Sequence, residues 1–322
     1  MARGRKLFAG GFLHLAIGLL ATPPATAVND SLNGFDLGSA LLPREEILAG
    51  GPSRDGIESV DEPEFVAVEE ARWVAVRNPV LGVAVGEEAH VYPVHLLEPH
   101  QIVNDEVGGV TVVVTYDPLA AVPRAYRRDV DGKTLTFGVS GLVYNSNFLL
   151  YDRETGSLWL QFTGEAIAGP AAGKKLARVP IRQELLGTWL SRHPLSRVMS
   201  RPRPQRIDYR YSRYTRYMTQ DNVIFPVKAR DDRFHAKELV LGVVVGGRPR
   251  AYLGSLVTKA GGQVEGEFGG KKIEFSYSTD DGIFSYEVAD GVEFTEAYWF
   301  AWKAFHPDTE VWNEPGDSSG PD

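Results

Sequence analysis

The residues whose types and spacing suit them to chemistry are His100, Asn104, Asp117, Tyr144 and Asn145. His100 and Asn104 lie in the run Leu96 to Asp105, LLEPHQIVND, on the connection into a strand that ends at Asp117-Pro118. Proline cannot donate to a strand ladder and restricts the residue before it, so the Asp117 carboxylate is expected to project into a loop. An imidazole and a carboxylate within hydrogen-bond reach form an acid/base pair. With the phenol and the two amides they would line one polar pocket. The plainer alternative is a solvent-facing loop histidine.

No other group completes a catalytic or metal-ligating constellation, and the residues name no cofactor. The seven histidines form neither H-x-H nor H-E-x-x-H. His193 and His306 each precede a proline at the end of an expected helix, where the helix dipole and capping favour an imidazole. In Gly138-Val139-Ser140-Gly141 the second glycine comes one residue too early for a G-x-S-x-G elbow, and Ser140 reads as a turn residue. Asp129 to Gly132 and Thr279 to Gly282 begin like calcium loops but lack the twelfth-position glutamate, so turn chemistry is the better reading.

The strand that positions Asp117 opens at Gly108-Gly109, a turn signal. Val110, Val112, Val114 and Tyr116 then alternate with Thr111, Val113 and Thr115, the period of a strand with one buried face. The same pattern recurs. Leu81-Gly82-Val83 with Tyr92 and Leu96 matches Leu241-Gly242-Val243 with Tyr252 and Leu256 at an offset of 160 residues, and Gly108-Gly109 with Tyr116 matches Gly269-Gly270 with Tyr277 at 161. Trp189 and Trp302 each open a Trp-x-x-x-His-Pro at an offset of 113, so the first copy carries about 48 extra residues. The fold class implied is α+β, predominantly antiparallel β, with two unequal lobes from an internal duplication, each closed by a short C-terminal helix.

Along the chain, 1–27 reads as a secretory signal peptide, with Arg3, Arg5 and Lys6 before an apolar run and Ala25-Thr26-Ala27 as its cleavage site. An extended N-terminal arm (28–63) follows, then a first lobe (64–199) that begins with a short helix from Glu64 to Trp73 and contains inserted hairpins, one turning at Asp131-Gly132. Residues 200–235 form an Arg/Tyr-rich linker, 236–310 the second lobe and 311–322 an acidic tail. Losing the signal would take the formal net charge from -8 to -11 and leave no membrane span. An acidic exported chain disfavours nucleic acid as partner, so the linker tyrosines are expected to pack over the lobe interface while its arginines pair with carboxylates. The complete lack of cysteine excludes disulfides, thiolate metal sites and cysteine nucleophiles.

Leu42-Pro-Arg-Glu-Glu-Ile47, Gly51 to Ile57, Val91-Tyr-Pro93, Ile102 to Asp105, Thr136 to Gly141, Tyr144-Asn-Ser146 and Phe305 to Thr309 carry a resemblance to the DUF3179 domain proteins, a family without an established function. Members of that family typically read T-Y-C-P-L-C where this chain has Thr115-Tyr116-Asp117-Pro118-Leu119-Ala120. The resemblance implies a soft-metal or redox site near His100 whose first sulfur is here a carboxylate and whose second is a methyl. Three functions follow as expectations. The first is a periplasmic or secreted ligand-binding or accessory protein that has lost the thiol site. The second is an enzyme using His100 and Asp117 in acid/base or hard-metal chemistry. The third is an interaction protein using the Arg/Tyr linker, with its small-molecule or protein partner unspecified.

Overall fold

Gly108 and Gly109 both take left-handed backbone conformations, with φ of 55° and 74°, the two-residue turn whose twist suits a hairpin. It pairs Ile102–Val107 with Val110–Asp117, and Val122–Arg127 adds on the other side to complete a three-stranded antiparallel meander. The central strand departs from the one-faced expectation, because both faces are covered from Val112 onward. Val112, Val114 and Tyr116 pack with Leu81, Val83 and Tyr92 of one neighbouring sheet. Val113 points the other way, into a cluster with Phe137 and Trp159.

The structure, a computed structural model, describes Met1 and residues 30–203, 207–287 and 289–313. The expected signal peptide, apart from Met1, and most of the expected acidic tail lie outside the described residues. What is described is mostly antiparallel β with five short helices, its five larger sheets set in a propeller-like arrangement. Among the described residues no helix is long and apolar enough to cross a membrane.

Two of the sheets share one design. Pro79–Val85 pairs antiparallel with Glu88–Pro93, flanked by Arg182–Leu185 antiparallel on one side and Arg197–Met199 parallel on the other. Leu239–Val245 pairs antiparallel with Arg248–Leu253, flanked by Val292–Tyr298 antiparallel and Glu310–Val311 parallel. Each sheet is followed by a meander, the second made of Gln263–Phe268, Lys271–Ser278 and Ile283–Tyr286. A helix, Leu186–Arg192 or Trp299–Phe305, brings a buried tryptophan down onto a glycine of the central strand. The approach of Trp189 to Gly82, and of Trp302 to Gly242, is so close that a methyl group at either glycine would overlap the indole. The Trp189 indole N–H donates to Ser196 Oγ at 2.8 Å and that of Trp302 to Thr309 Oγ1 at 2.9 Å.

The fifth sheet is built from Phe137–Tyr144, Asn147–Asp152, Leu158–Leu160 and Ala166–Ala168. Leu48–Ala49 of the N-terminal arm joins its edge, and Phe35, Leu37 and Ile47 are buried beside it, so the arm is part of the core rather than a surface strap. The expected hairpin turning at Asp131-Gly132 is only a two-residue ribbon, Asp129–Val130 with Lys133–Thr134. Beyond it Phe137–Tyr144 pairs with Asn147–Asp152 instead of with Val122–Arg127. Of the expected helix at Glu64 to Trp73 only a 3-10 turn, Val68–Glu70, forms; Phe65–Ala67 before it is a strand on the edge of Arg197–Met199, and the Phe65 ring lies 4.0 Å from that of His90. Pairing to that open edge overrides the weak local helix signal.

The two expected lobes share a hydrophobic cluster. Ala120, Ala121 and Val122 of the first meander, Phe162 just beyond Leu158–Leu160, Tyr217 of the linker, Val240 and Tyr298 of the C-terminal sheet and Trp302 of its helix form one cluster. This cluster crosses the expected boundary between them.

Candidate functional site

Asp117 ends its strand as proline requires, but its carboxylate turns inward and is 1% exposed. Oδ1 accepts the backbone N–H groups of Leu119 at 2.9 Å and Ala120 at 3.3 Å, so the side chain ties the turn that follows it. Oδ2 accepts from Asn147 Nδ2 at 2.7 Å and the Phe148 N–H at 3.0 Å. Four donors meet the four lone-pair positions of a carboxylate. Asn147 passes the network on to Gln161 Oε1 at 2.8 Å, and Gln161 Nε2 donates to Thr115 Oγ1 at 2.9 Å and the Val122 carbonyl at 3.0 Å. Burial raises the Asp117 pKa to about 6, a push that the N–H groups of Phe148, Leu119, Ala120 and Asn147 only partly offset.

His100 is 5% exposed and sits just before Gln101, whose φ of 61° bends the chain into its strand. Its Nδ1 lies 2.7 Å from the Glu58 carbonyl, which can only accept, so Nδ1 carries the proton. Nε2 then accepts from the Tyr209 hydroxyl, also at 2.7 Å. Burial first of all lowers the pKa of this imidazole, which favours the neutral form that the two bonds select.

Tyr209 belongs to the Arg/Tyr linker, and two more of its tyrosines reach the same region. Gln101 Nε2 donates to the Tyr214 hydroxyl at 3.4 Å, and the Tyr217 hydroxyl donates to the Leu119 carbonyl at 3.0 Å. Lys237 anchors the segment by donating to the carbonyls of Tyr217 and Gln220, with its ammonium 3.4 Å from the Tyr217 ring centroid. The linker is thus a strap across the loop that holds Asp117. Among the described residues three of its arginines form ion pairs: Arg210 with Asp208 at 2.8 Å, Arg233 with Asp231 at 2.5 Å and Arg203 with Glu64 at 3.7 Å.

The five candidate residues do not meet in one pocket. Asn104 clamps the inserted sheet, exchanging hydrogen bonds with the Phe137 backbone at 2.8 and 2.9 Å and donating to Asp61. Asn145, at φ of 50°, donates to the Ala304 carbonyl and accepts the Lys228 N–H, while the Tyr144 ring packs on Phe305. Among the described residues no hydrogen bond or ion pair joins His100 to Asp117, and no group of three or more His, Asp and Glu is arranged to hold a metal ion.

Two histidines that the residue pattern gave no reason to choose do meet carboxylates: His235, exposed, with Nε2 2.9 Å from Asp221 Oδ1, and His90, which is buried. His90 Nδ1 lies 2.8 Å from Asp105 Oδ2 and Nε2 lies 2.9 Å from Glu88 Oε1, and the Tyr92 hydroxyl donates to the same Asp105 oxygen at 2.6 Å. Glu88, His90 and Tyr92 lie on one strand and Asp105 on a strand of the next sheet, but both ring nitrogens are occupied. His193 and His306 end their helices as expected, yet each stacks on its tryptophan, at 4.3 and 4.0 Å, and burial lowers both pKa values. Packing rather than the helix dipole governs them. Ser140 stands at a bulge inside a strand, where its hydroxyl donates to the Leu149 carbonyl at 2.6 Å.

The open feature nearest to these residues is a cleft of about 460 Å³ between 58–64 and 200–203, with His100 in its wall and Glu58, Glu62, Ser200 and Arg201 around it. No curated protein and no solved structure matches the chain. Residues 54–291 match the model of a protein family of unknown function, DUF3179, and the chain belongs to that family.

Proposed function

We infer that this is an exported ligand-binding or accessory protein in which the position of the family's thiols has become a structural joint. One observation carries the reading. Every lone pair of the Asp117 carboxylate already receives an N–H, so binding a metal or taking up a proton there requires breaking a hydrogen bond. The tyrosine strap covers the same loop, whereas the cleft beside His100 stays open. The occupant belongs in that cleft, with the Arg/Tyr segment as its neighbour and cover. The shared strand order and the paired Gly-Trp-His contacts favour a duplicated scaffold, with the fifth sheet as an insertion in its first copy.

A thermal-shift and NMR screen of small polar molecules tests the reading on the wild type and on Ser200→Trp, which fills the cleft. Compounds that stabilise the wild type should lose their effect in the variant. Equal effects on both proteins, or no stabilising compound at all, would sink it. Export has its own check, since mass spectrometry of the secreted protein should find Val28 at the N-terminus. An intact Met1 chain would overturn that part.

A further inference from the structure

We propose that the cleft beside His100 takes a small zwitterion, a free amino acid or short peptide, whose carboxylate meets Arg201 and whose ammonium meets Glu58 and Glu62. The proposal rests on the binding reading above and adds the chemical class of the ligand.

The cleft carries both signs of charge, and they are unevenly used. Asp61 is engaged: it accepts from Ser59 Oγ and Asn104 Nδ2, each at 2.8 Å, and pairs with Arg153. Arg203 lies 3.7 Å from Glu64, with both side chains largely exposed. Among the described residues the side chains of Glu58, Glu62 and Arg201 make no hydrogen bond or ion pair, and Arg201 Nε is buried without an acceptor. An unpaired guanidinium in the wall of an open cleft suits a carboxylate, which it meets through paired N–H bonds. Unpaired carboxylates on the facing segment suit an ammonium. A ligand carrying one charge only would meet a like charge across the cleft, which penalises purely anionic and purely cationic molecules alike.

His100 makes the wall firm. Its bond to the Glu58 carbonyl at 2.7 Å fixes the backbone that presents the free Glu58 carboxylate, and Tyr209 holds the ring from the other side. A volume of about 460 Å³ is within the range of small-ligand pockets and accommodates a dipeptide.

Saturation-transfer NMR titrations on the full exported chain would use three probes: alanyl-alanine, its N-acetyl form (anion only) and its C-terminal amide (cation only). The free dipeptide should bind at least about tenfold more tightly than either capped form. Arg201→Ala should reduce it to the level of the amide, and the double change Glu58→Gln, Glu62→Gln to the level of the acetylated form. If a capped form binds as well as the dipeptide and Ser200→Trp abolishes that binding, the zwitterion falls while the cleft reading stands. If none of the three probes binds, the zwitterion falls as well, and the screen of polar molecules decides the cleft separately. Binding that Ser200→Trp leaves intact overturns both.

Discussion

Asp117→Ala is expected to lower the stability of the protein at pH 7 by about 3 to 5 kcal/mol, measured by urea unfolding. The change strips the acceptor from three buried backbone N–H groups and one buried amide at once. A loss below about 1 kcal/mol would show that these donors find other partners and that the carboxylate is not a joint. The pH profile is more specific. The folded Asp117 pKa of about 6 lies above its ordinary 3.8, so the folded state holds the proton more tightly. Its contribution is therefore complete below 3.8 and is lost as the pH rises through about 6. His306 runs the other way. Buried against Trp302 near Arg124 and Arg178, it is held down at about 4 against an ordinary 6.5, so stability is lost as the pH falls from 6.5 through about 4. Each effect amounts to up to about 3 kcal/mol, and between about pH 4 and 6 they oppose one another. Asp117→Ala should leave stability rising with pH across that window, and His306→Phe should leave it falling. Flat profiles in both variants would refute both shifts.

Trp302→Ala should cost about 3 to 5 kcal/mol, as for other large core aromatics. The indole is completely buried, lies against Gly242, has the His306 ring at 4.0 Å and donates to Thr309. Its removal opens a cavity and frees the link between the last helix and the edge strand Glu310–Val311. Because the cluster around Trp302 includes Ala120 to Val122 and Phe162 of the first half, the loss should lower the single melting transition of the whole chain. An unchanged melting curve would show that this helix does not close its sheet. A split into two transitions would show that the halves fold as independent lobes.

The sequence by itself determined the features that depend on near neighbours along the chain. Gly108-Gly109 requires a tight turn, Asp117-Pro118 requires a strand end, and Trp-x-x-x-His-Pro requires a short helix that carries an indole and stops at the histidine. These hold because backbone sterics and a period of two or 3.6 residues are local properties. The short helix expected at Glu64 to Trp73 shrank to the single turn Val68–Glu70 for the same reason turned round, since Phe65 to Ala67 found an open strand edge that no local signal announces.

What each polar side chain does was decided by tertiary structure alone. Asp117 became a joint because Asn147 and Phe148, some thirty residues on, arrive with two donors for its second oxygen. His100 is held in place because Tyr209, 109 residues away, brings its hydroxyl to Nε2. His90 and Asp105 meet only because two strands align across a sheet junction. A buried carboxylate or imidazole takes its protonation and its role from whichever donors and acceptors share its low-dielectric surroundings, and those come from distant parts of the chain.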